Sequence, residues 1–204
     1  MTDAVPLPQV VLVRHGETAW SRSGQHTGRT DVPLTDLGRR QGETLADVLG
    51  RRRFARVLTS PLRRALDTCR LAGLGPQAEL CADLVEWDYG GYEGRTTPDI
   101  RREVPGWSLF RDGVPDGETA DDVGRRADRV ISAVRLGEGD VALFGHGHIL
   151  RVVAVRWLGL APAEGRHLAL DTASVSILGW EREVPAVWRW NDNAHLMALN
   201  AADD

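Results

Sequence analysis

Short apolar runs alternate with helical patterns along most of this 204-residue chain. A short apolar run bounded by turn residues is typical of a buried strand, and strands that alternate with helices form βαβ units. The pattern predicts an α/β fold, a three-layer sandwich in which a mostly parallel central sheet carries helices on both faces. Strands are predicted at residues 10–13, 57–59, 80–87, 141–144, 174–180 and 186–190.

Capping residues indicate where the helices between these strands begin. Thr35 can cap a helix that runs to about Arg53. Ser60 as the cap, with Pro61 at the first helical position, starts another helix that reaches about Leu71. A short helix is predicted to begin at Thr97-Pro98, and a longer one begins at Thr119, which forms a capping-box-like start with Asp122. The apolar segment from Ile149 to Leu158 predicts a buried helix. The segment from Pro105 to Asp116 is expected to be irregular.

Composition limits the size and the chemistry of the molecule. The length and the 42% hydrophobic content fit a single domain over residues 1–204 that buries its core without disulfides. Cys69 and Cys81 fit neither a disulfide framework nor a zinc pattern and are interpreted as small buried hydrophobic residues. All 25 basic residues are arginine, so Schiff-base catalysis by lysine and a P-loop lysine are excluded, whereas arginine can grip phosphate in bidentate fashion.

The charge pattern and the N-terminus narrow the partners and the compartment. The net charge is −4, and Arg51-Arg52-Arg53 is the single basic cluster, which argues against nucleic-acid binding and favours a small anionic substrate. Residues 1–4 lack a signal-peptide pattern, and no apolar run approaches the ~18 residues of a membrane span. We therefore expect a soluble cytoplasmic protein without membrane contact, and the sequence leaves a homodimer open.

The pentapeptide Arg14-His15-Gly16-Glu17-Thr18 stands directly after the first predicted strand. In open α/β sheets the carboxyl ends of the strands open into the ligand crevice. A cationic side chain and backbone N–H groups at that position suit an anion such as phosphate. This segment therefore indicates an anion site at the end of the strand.

Four further segments follow the pentapeptide in order. They are Thr27-Gly28 with Asp31 to Thr35, then Thr59 to Ala65, then Glu86 to Gly90, and finally Gly145 to His148. With this ordered set, which spans about Val10 to about Trp180, the chain resembles the histidine phosphatase superfamily. Residues 24–28, 86–94 and 110–113 resemble the branch that contains sedoheptulose-bisphosphatase and actinobacterial acid phosphatases.

The resemblance implies one role for each of four site residues. His15 is the expected nucleophile, attacking phosphorus through one neutral ring nitrogen while the other donates to a carbonyl. Arg14, Arg64 and His146 are the expected phosphate clamp. Arg64 is preferred to Arg63 because the family pattern places its arginine directly before the position of Ala65. An arginine in the first turn of a helix opposes the helix dipole, so helix stability does not account for it.

Glu86 is the expected general acid, and Glu93 is its rival. The resembling proteins have their acid at the start of the Glu-x-x-Tyr-Gly pattern, which favours Glu86, while Glu93 is interpreted as a carboxylate that stabilises its loop. Partial desolvation beside Trp87 and Tyr89 is expected to raise the pKa of Glu86 toward the working range.

The residues that meet the rest of the substrate are less well defined. Ser21, Thr27, Gly28 and Gly147 are candidates for substrate binding; Ser21 stands where the related mutases have asparagine. His148 is either structural or at the edge of the substrate, because its pairing with His146 lacks the further ligands of a metal site. We expect neither a metal nor a cofactor. The loop arginines Arg22, Arg29, Arg101, Arg102, Arg111 and Arg151 are too many to rank from sequence.

Three functions compete for this set of residues. A phosphomonoesterase that acts on a small phosphorylated metabolite, a sugar phosphate by resemblance, is favoured. A cofactor-dependent phosphoglycerate mutase is the alternative, but the short segment from Gly94 to Glu118 and the brief tail should leave a phosphohistidine open to water. A phospho-ligand binder without activity is the third, and it would be expected to lack the nucleophile or the acid.

Overall fold

The computed structural model describes residues 7–200, except for the side chains of residues 198 and 200. Residues 1–4, on which the expectation of a missing signal peptide depends, lie outside this range. Within it, the strands form one six-stranded sheet in the order β3-β2-β4-β1-β5-β6. The strands are β1 Val10–Arg14, β2 Arg56–Thr59, β3 Ala78–Leu80, β4 Val141–Gly145, β5 Val175–Glu181 and β6 Val184–Asp192.

The sheet is mixed, with a parallel part that contains the predicted anion site. Strands β1 to β4 pair in parallel, whereas β5 pairs with β1, and β6 with β5, in antiparallel register. Arg14 is opposite Gly145 in the β1–β4 register, so the residues after both strands leave the sheet side by side.

Two apolar cores lie on opposite faces of this sheet. Alternation along β1 sends Val10 and Leu12 into one core and Val11 and Val13 into the other. The first core packs against the helices α6 and α7, and the second against α2 and α3. This arrangement confirms the predicted α/β sandwich. The helices are α1 Ala19–Ser23, α2 Asp36–Leu49, α3 Arg63–Leu71, α4 Thr97–Glu103, α5 Leu109–Asp112, α6 Ala120–Arg135, α7 Gly147–Trp157 and α8 Met197–Asn200.

Threonine side chains begin three of the helices that the sequence predicted. Thr35 accepts from the Gly38 amide at the start of α2. Thr96 and Thr119 form capping boxes with Asp99 and Asp122 at the starts of α4 and α6. The cap of α4 is thus one residue before the Thr97-Pro98 pair that the sequence indicated.

The predicted strand at residues 80–87 is wrong beyond Leu80. Its sheet pairing ends at Leu80, and Ala82–Leu84 forms a 3₁₀ turn that buries Leu84. The guanidinium of Arg126 then donates to the carbonyls of Asp83 and Val85 at 2.8 and 2.7 Å, so these carbonyls are satisfied without a neighbouring strand.

Three helix boundaries and one segment predicted to be irregular also differ from the sequence prediction. α2 ends at Leu49, before Gly50, and not at Arg53. Ser60 does not cap α3, which begins at Arg63 with Leu62 as its cap; the Ser60 hydroxyl pairs with His146 at 2.8 Å instead. The segment 105–116 contains the short helix α5, whose Leu109 and Phe110 are buried. α7 begins two residues before Ile149.

Candidate active site

Two histidines meet at the carboxyl ends of the parallel strands β1 and β4. His15 follows β1, and its amide donates to the carbonyl of Gly145 at 3.0 Å. His146 follows β4, and the centroids of the two imidazole rings are 5.2 Å apart. The sheet therefore brings together two residues that are far apart in sequence, at the edge where the pentapeptide indicated an anion site.

His15 is held as a neutral imidazole with one nitrogen available. Its Nδ1 lies 2.7 Å from the carbonyl oxygen of Gly16, and because a carbonyl only accepts, Nδ1 carries the proton and Nε2 the lone pair. Burial, together with the charges of Arg14 and Arg64, holds the pKa of His15 well below its ordinary value of 6.5. The ring has the tautomer and the charge that a nitrogen nucleophile requires.

The backbone after His15 is fixed by close packing at Gly16. A Cβ at this position would overlap the carbonyl of Gly38 in α2, so only glycine fits. The Gly16 amide donates to Thr68 Oγ1 at 3.0 Å, and the Thr68 hydroxyl donates to the carbonyl of Arg64 at 2.7 Å. Helices α2 and α3 therefore position the carbonyl that sets the tautomer of His15.

Arg14 presents an unused donor beside His15. Its Nη1 donates to the carbonyl of Leu170, whereas its buried Nε has no partner among the described residues. A buried N–H without an acceptor is costly, and an anion bound at this position would remove the cost. Arg14 lines the cavity above the histidines, so its guanidinium is placed to contact a phosphate oxygen.

Arg64 is fully buried beneath the cavity, and each nitrogen of its guanidinium group donates a hydrogen bond to another residue of the protein. Its Nε donates to His146 Nδ1 at 3.0 Å, and its Nη groups donate to the carbonyls of Thr27, Gly28 and Thr30 at 3.1, 2.8 and 2.8 Å. The arginine thus joins α3 to the loop at residues 27–30 and to the second histidine.

The contact with Arg64 also defines the state of His146. Because Nδ1 accepts from Arg64, the proton is on Nε2, which donates to the Ser60 hydroxyl at 2.8 Å. Burial and the charge of Arg64 hold the pKa of His146 well below its ordinary value. Both histidines of the pair are therefore neutral.

Glu86 faces the same cavity from the irregular segment after the 3₁₀ turn. Its carboxylate accepts from the amides of Trp87, His148 and Ile149, each at 2.9 Å. The last two amides belong to the first turn of α7, whose N-terminal dipole favours an anion. Glu86 therefore supplies the acceptor for these amides, which accounts for the early start of α7.

The expected rise in the pKa of Glu86 is wrong. Burial acts to raise this pKa, but hydrogen bonds from His148 outweigh the effect of burial, and the net pKa is well below its ordinary value. Sequence showed the apolar neighbours Trp87 and Tyr89 but not the three amides that the fold aims at the carboxylate.

Glu93, the rival acid, is occupied by a loop. Its carboxylate accepts from the amides of Gly28 and Thr30 at 2.9 and 3.1 Å. It does not line the cavity above His15. These contacts place Glu93 as a support for the 27–30 loop, the role that the sequence favoured.

The cavity above the histidines has a volume of about 190 Å³. His15, with 5% of its surface exposed, and the fully buried Arg64 and His146 lie below its surface. Of the predicted residues, Arg14, Ser21, Thr27, Glu86 and Gly147 line it, and Gly28 does not. The other lining residues are Gly24, Gln25, His26, Tyr89, His148, Arg151 and Leu170.

The predicted substrate residues differ in what they offer to the cavity. Ser21 Oγ is engaged in the capping box of α1 with Thr18. Thr27 Oγ1 donates to the carbonyl of Gln25 at 3.1 Å. Gly147 lies next to Arg14 and Glu86, where a Cβ would come within 3.5 Å of the guanidinium. Gly28 acts through its backbone, which joins Arg64 to Glu93.

Sequence reasoning assigned no role to His26 and Tyr89 of the cavity wall, and it named Arg151 only among the loop arginines that it could not rank. The rings of His26 and Tyr89 are 4.8 Å apart, and the Tyr89 hydroxyl lies 2.6 Å from His148 Nδ1. Burial lowers the pKa of His26 to about 4. His26 directly precedes the predicted Thr27-Gly28 pair, and Tyr89 belongs to the Glu-x-x-Tyr-Gly pattern, so both carried a signal that was left unused.

Within residues 7–200, no group of three or more His, Cys, Asp or Glu side chains is arranged to hold a metal ion. Among the helices of the same range, none combines the length and the apolar character needed to cross a bilayer.

A neutral histidine, a guanidinium with an unused donor and a carboxylate around one cavity define the class of site expected for phosphoryl transfer. The profile of the histidine phosphatase superfamily, branch 1, matches residues 10–193. The chain therefore belongs to the histidine phosphatase superfamily, and it is a phosphatase.

Individual relatives support the same class. An acid phosphatase of Mycobacterium tuberculosis is 46% identical over 180 residues, covering 86% of this chain and 88% of the relative. A sedoheptulose 1,7-bisphosphatase of Saccharomyces cerevisiae is 37% identical over 187 residues, covering 75% of this chain and 68% of the relative. The structure of a mycobacterial glucosyl-3-phosphoglycerate phosphatase in complex with VO3 matches with a TM-score of 0.83 at 27% identity, covering 91% and 100% of the two chains.

Proposed function

We propose that this protein hydrolyses phosphomonoesters of small sugar-like metabolites through a phosphohistidine at His15. The observation that carries the proposal is the state of His15, whose Nδ1–H is held by Gly16 so that a neutral Nε2 remains for attack. The sugar-phosphate class is supported by two relatives, which act by their names on sedoheptulose bisphosphate and glucosyl-3-phosphoglycerate.

The first step transfers the phosphoryl group to the enzyme. Nε2 of His15 forms a bond to phosphorus while the bond from phosphorus to the ester oxygen breaks. Arg14 stabilises the charge on the equatorial oxygens with donors that are in place before the substrate arrives. Glu86 gives its proton to the departing alkoxide, so that the alcohol leaves neutral.

The low pKa of Glu86 is compatible with this role. A phosphate dianion placed beside the carboxylate raises the pKa of Glu86, because two like charges at short range cannot both be stabilised by the same donors. The proton is thus taken up together with the substrate. Without the substrate, the three amides keep Glu86 ionised and in position.

The second step returns the enzyme to its initial state. Glu86, now ionised, removes a proton from a water molecule, and the water oxygen bonds to phosphorus while the bond from phosphorus to Nε2 breaks. The products are inorganic phosphate and free His15. The attacking water enters from the cavity that Arg14 and Glu86 line.

Replacement of the nucleophile tests this function. His15→Asn should reduce phosphate release from a sugar phosphate by more than about a hundredfold, since removal of one member of a catalytic unit costs far more than a binding contact. His167→Asn, at an exposed histidine outside the cavity, is the matched control and should leave turnover unchanged. A His15→Asn enzyme that keeps its fold and more than about a hundredth of the wild-type rate would overturn the proposal.

A further inference from the structure

The loop before β5 contacts both Arg14 and His15. Arg14 Nη1 donates to the carbonyl of Leu170, and the amide of Ala173 donates to the carbonyl of His15 at 3.0 Å. Residues 169–174, which we call the support loop, therefore bond to the guanidinium of the first residue and to the backbone of the second.

The contact with Leu170 determines which donor Arg14 offers to a phosphate. Nη1 is used by the Leu170 carbonyl, whereas the buried Nε has no partner among the described residues. A guanidinium is planar and rigid, so a partner on Nη1 also restricts the direction of the Nε–H. Burial lowers the pKa of Arg14, and the carboxylates of Glu86 and Asp171 act in the opposite direction. The position of the Leu170 carbonyl therefore aims the free N–H.

Asp171, the neighbour of Leu170, forms a reciprocal pair with Asn191 near the end of β6. The Asp171 amide donates to Asn191 Oδ1 at 2.7 Å, and Asn191 Nδ2 donates to Asp171 Oδ2 at 2.9 Å. Asn193 Nδ2 donates to the same carboxylate oxygen at 3.2 Å. These three residues are not among those that line the cavity above His15, so their effect on the reaction is indirect.

Two further contacts flank this pair. Trp190 Nε1 donates to the carbonyl of Ala169 at 2.6 Å, and His195 Nε2 lies 3.1 Å from the carbonyl oxygen of Ala173. The segment 190–195 therefore holds the support loop at three alternate residues.

The backbone conformations on both sides of these contacts indicate a fixed arrangement. The fully buried Ala173 has a φ of 55°, and Asn191 has a φ of 53°. Asparagine tolerates this left-handed conformation, whereas alanine adopts it at a cost and keeps it only where its surroundings impose it. The contacts of Ala173 with His15 and His195 are such surroundings.

We propose that Asp171 and Asn191 are positioning residues for the phosphate clamp. Their reciprocal pair fixes the support loop, so that the Leu170 carbonyl holds Arg14 with its Nε–H directed to the transferred phosphoryl group. This inference rests on the proposed function and adds two residues that do not touch the substrate. Because an oriented donor acts on the charge of the transition state, loss of the pair lowers kcat more than it changes KM.

Variants of the pair test the proposal. Asp171→Ala, or Asn191→Gly, which tolerates the left-handed backbone, should lower kcat for p-nitrophenyl phosphate by about tenfold and change KM by less than about threefold. Asp171→Asn keeps an oxygen that accepts from Asn191 and should retain kcat to within about threefold. Arg189→Gln, which removes an exposed ion pair with Asp192 in the same strand, is the matched control and should leave kcat unchanged.

A double-mutant cycle separates positioning from a general loss of structure. Lysine has no guanidinium to aim, so Asp171→Ala should lower the kcat of the Arg14→Lys enzyme by less than about twofold. Thermal denaturation shows that each variant is folded at the assay temperature. The same tenfold loss in both backgrounds would overturn the inference, because Asp171 would then act independently of Arg14.

The remaining outcomes separate this inference from the proposed function. Asp171→Ala and Asn191→Gly enzymes with the wild-type kcat would overturn the inference and leave the function intact. An Asp171→Asn enzyme as slow as Asp171→Ala would also overturn it, because the charge of Asp171 would then matter and its pair with Asn191 would not. A wild-type enzyme that hydrolyses neither p-nitrophenyl phosphate nor a sugar phosphate would overturn the proposed function, and the inference with it.

Discussion

Two adjoining cavities are built in different ways. Around the first cavity, which lies above the two histidines, each reacting group is buried and fixed by backbone groups: His15 by Gly16, and Glu86 by three amides. The second cavity, of about 180 Å³, shares part of its wall with the first. Around it, Arg101 and Arg151 are each held by one carbonyl, and Arg101 is exposed. Chemistry at phosphorus needs donors fixed in advance, and the first cavity provides them.

The same comparison applies to four arginines in or beneath the two cavities. Every guanidinium nitrogen of Arg64 donates a hydrogen bond within the protein, whereas the buried Nε of Arg14 has no acceptor among the described residues. Arg101 and Arg151 line the second cavity, and their Nη groups form no hydrogen bond within the described part of the chain. We therefore expect large, substrate-independent effects from changes around His15 and smaller effects from changes around Arg101.

The largest effect is expected at Arg14. Arg14→Lys keeps a positive charge but removes the buried Nε–H and the planar fork, so kcat should fall by about a hundredfold to a thousandfold for every phosphomonoester. Steady-state kinetics with an alkyl and an aryl phosphate measure this, with thermal denaturation as the check on folding. If the loss were below about tenfold, preorganised donors would not distinguish the first cavity from the second.

A substrate-dependent effect within the first cavity is expected at Glu86. Glu86→Gln removes the proton donor, so hydrolysis of an alkyl phosphate should fall by about a hundredfold, while p-nitrophenyl phosphate, whose phenolate leaves with little protonation, should lose far less. Glu93→Gln is the matched control and should slow both substrates by the same factor, because Glu93 supports only the loop. Equal slowing of both substrates by Glu86→Gln would show that Glu86 is not the acid.

The smallest effect concerns the pH dependence of the nucleophile. Protonation of His15 removes the attacking lone pair, and its pKa lies well below 6.5, so the active neutral form persists as the pH falls through 6.5. We expect the acid limb of kcat/KM for p-nitrophenyl phosphate, which reports the pKa of His15 in the free enzyme, to have its midpoint clearly below 6.5. A profile from about pH 4 to about pH 8 at substrate concentrations well below KM, corrected for the ionisation of the substrate, measures it. A midpoint at or above 6.5 would contradict the buried, charge-flanked environment of His15.

The sequence predicted the parts of the site that lie at strand ends. His15 and His146 each follow an apolar run that was predicted as a strand, and the resemblance to the histidine phosphatases assigned both to one site. The threonine caps of α2 and α6 were equally local signals.

Contacts between segments distant in the chain could not be predicted in the same way. The failed strand at 80–87 depends on Arg126, which binds its carbonyls from more than forty positions away. The pKa of Glu86 depends on amides of α7, and the use of Ser60 depends on His146. The loop arginines could not be ranked for the same reason, since the pairing of Arg29, Arg102 and Arg111 with carboxylates is visible only in the fold.

Direct detection of the phosphorylated residue tests the central claim. The enzyme is mixed rapidly with ³²P-labelled substrate, quenched in alkali and digested, and the labelled peptide is identified by mass spectrometry. The account predicts one acid-labile, alkali-stable phosphoryl group on His15, formed faster than turnover and absent from His15→Asn. Label on another residue, or wild-type turnover without any labelled enzyme under conditions where hydrolysis of the intermediate limits the rate, would contradict a phosphohistidine at His15.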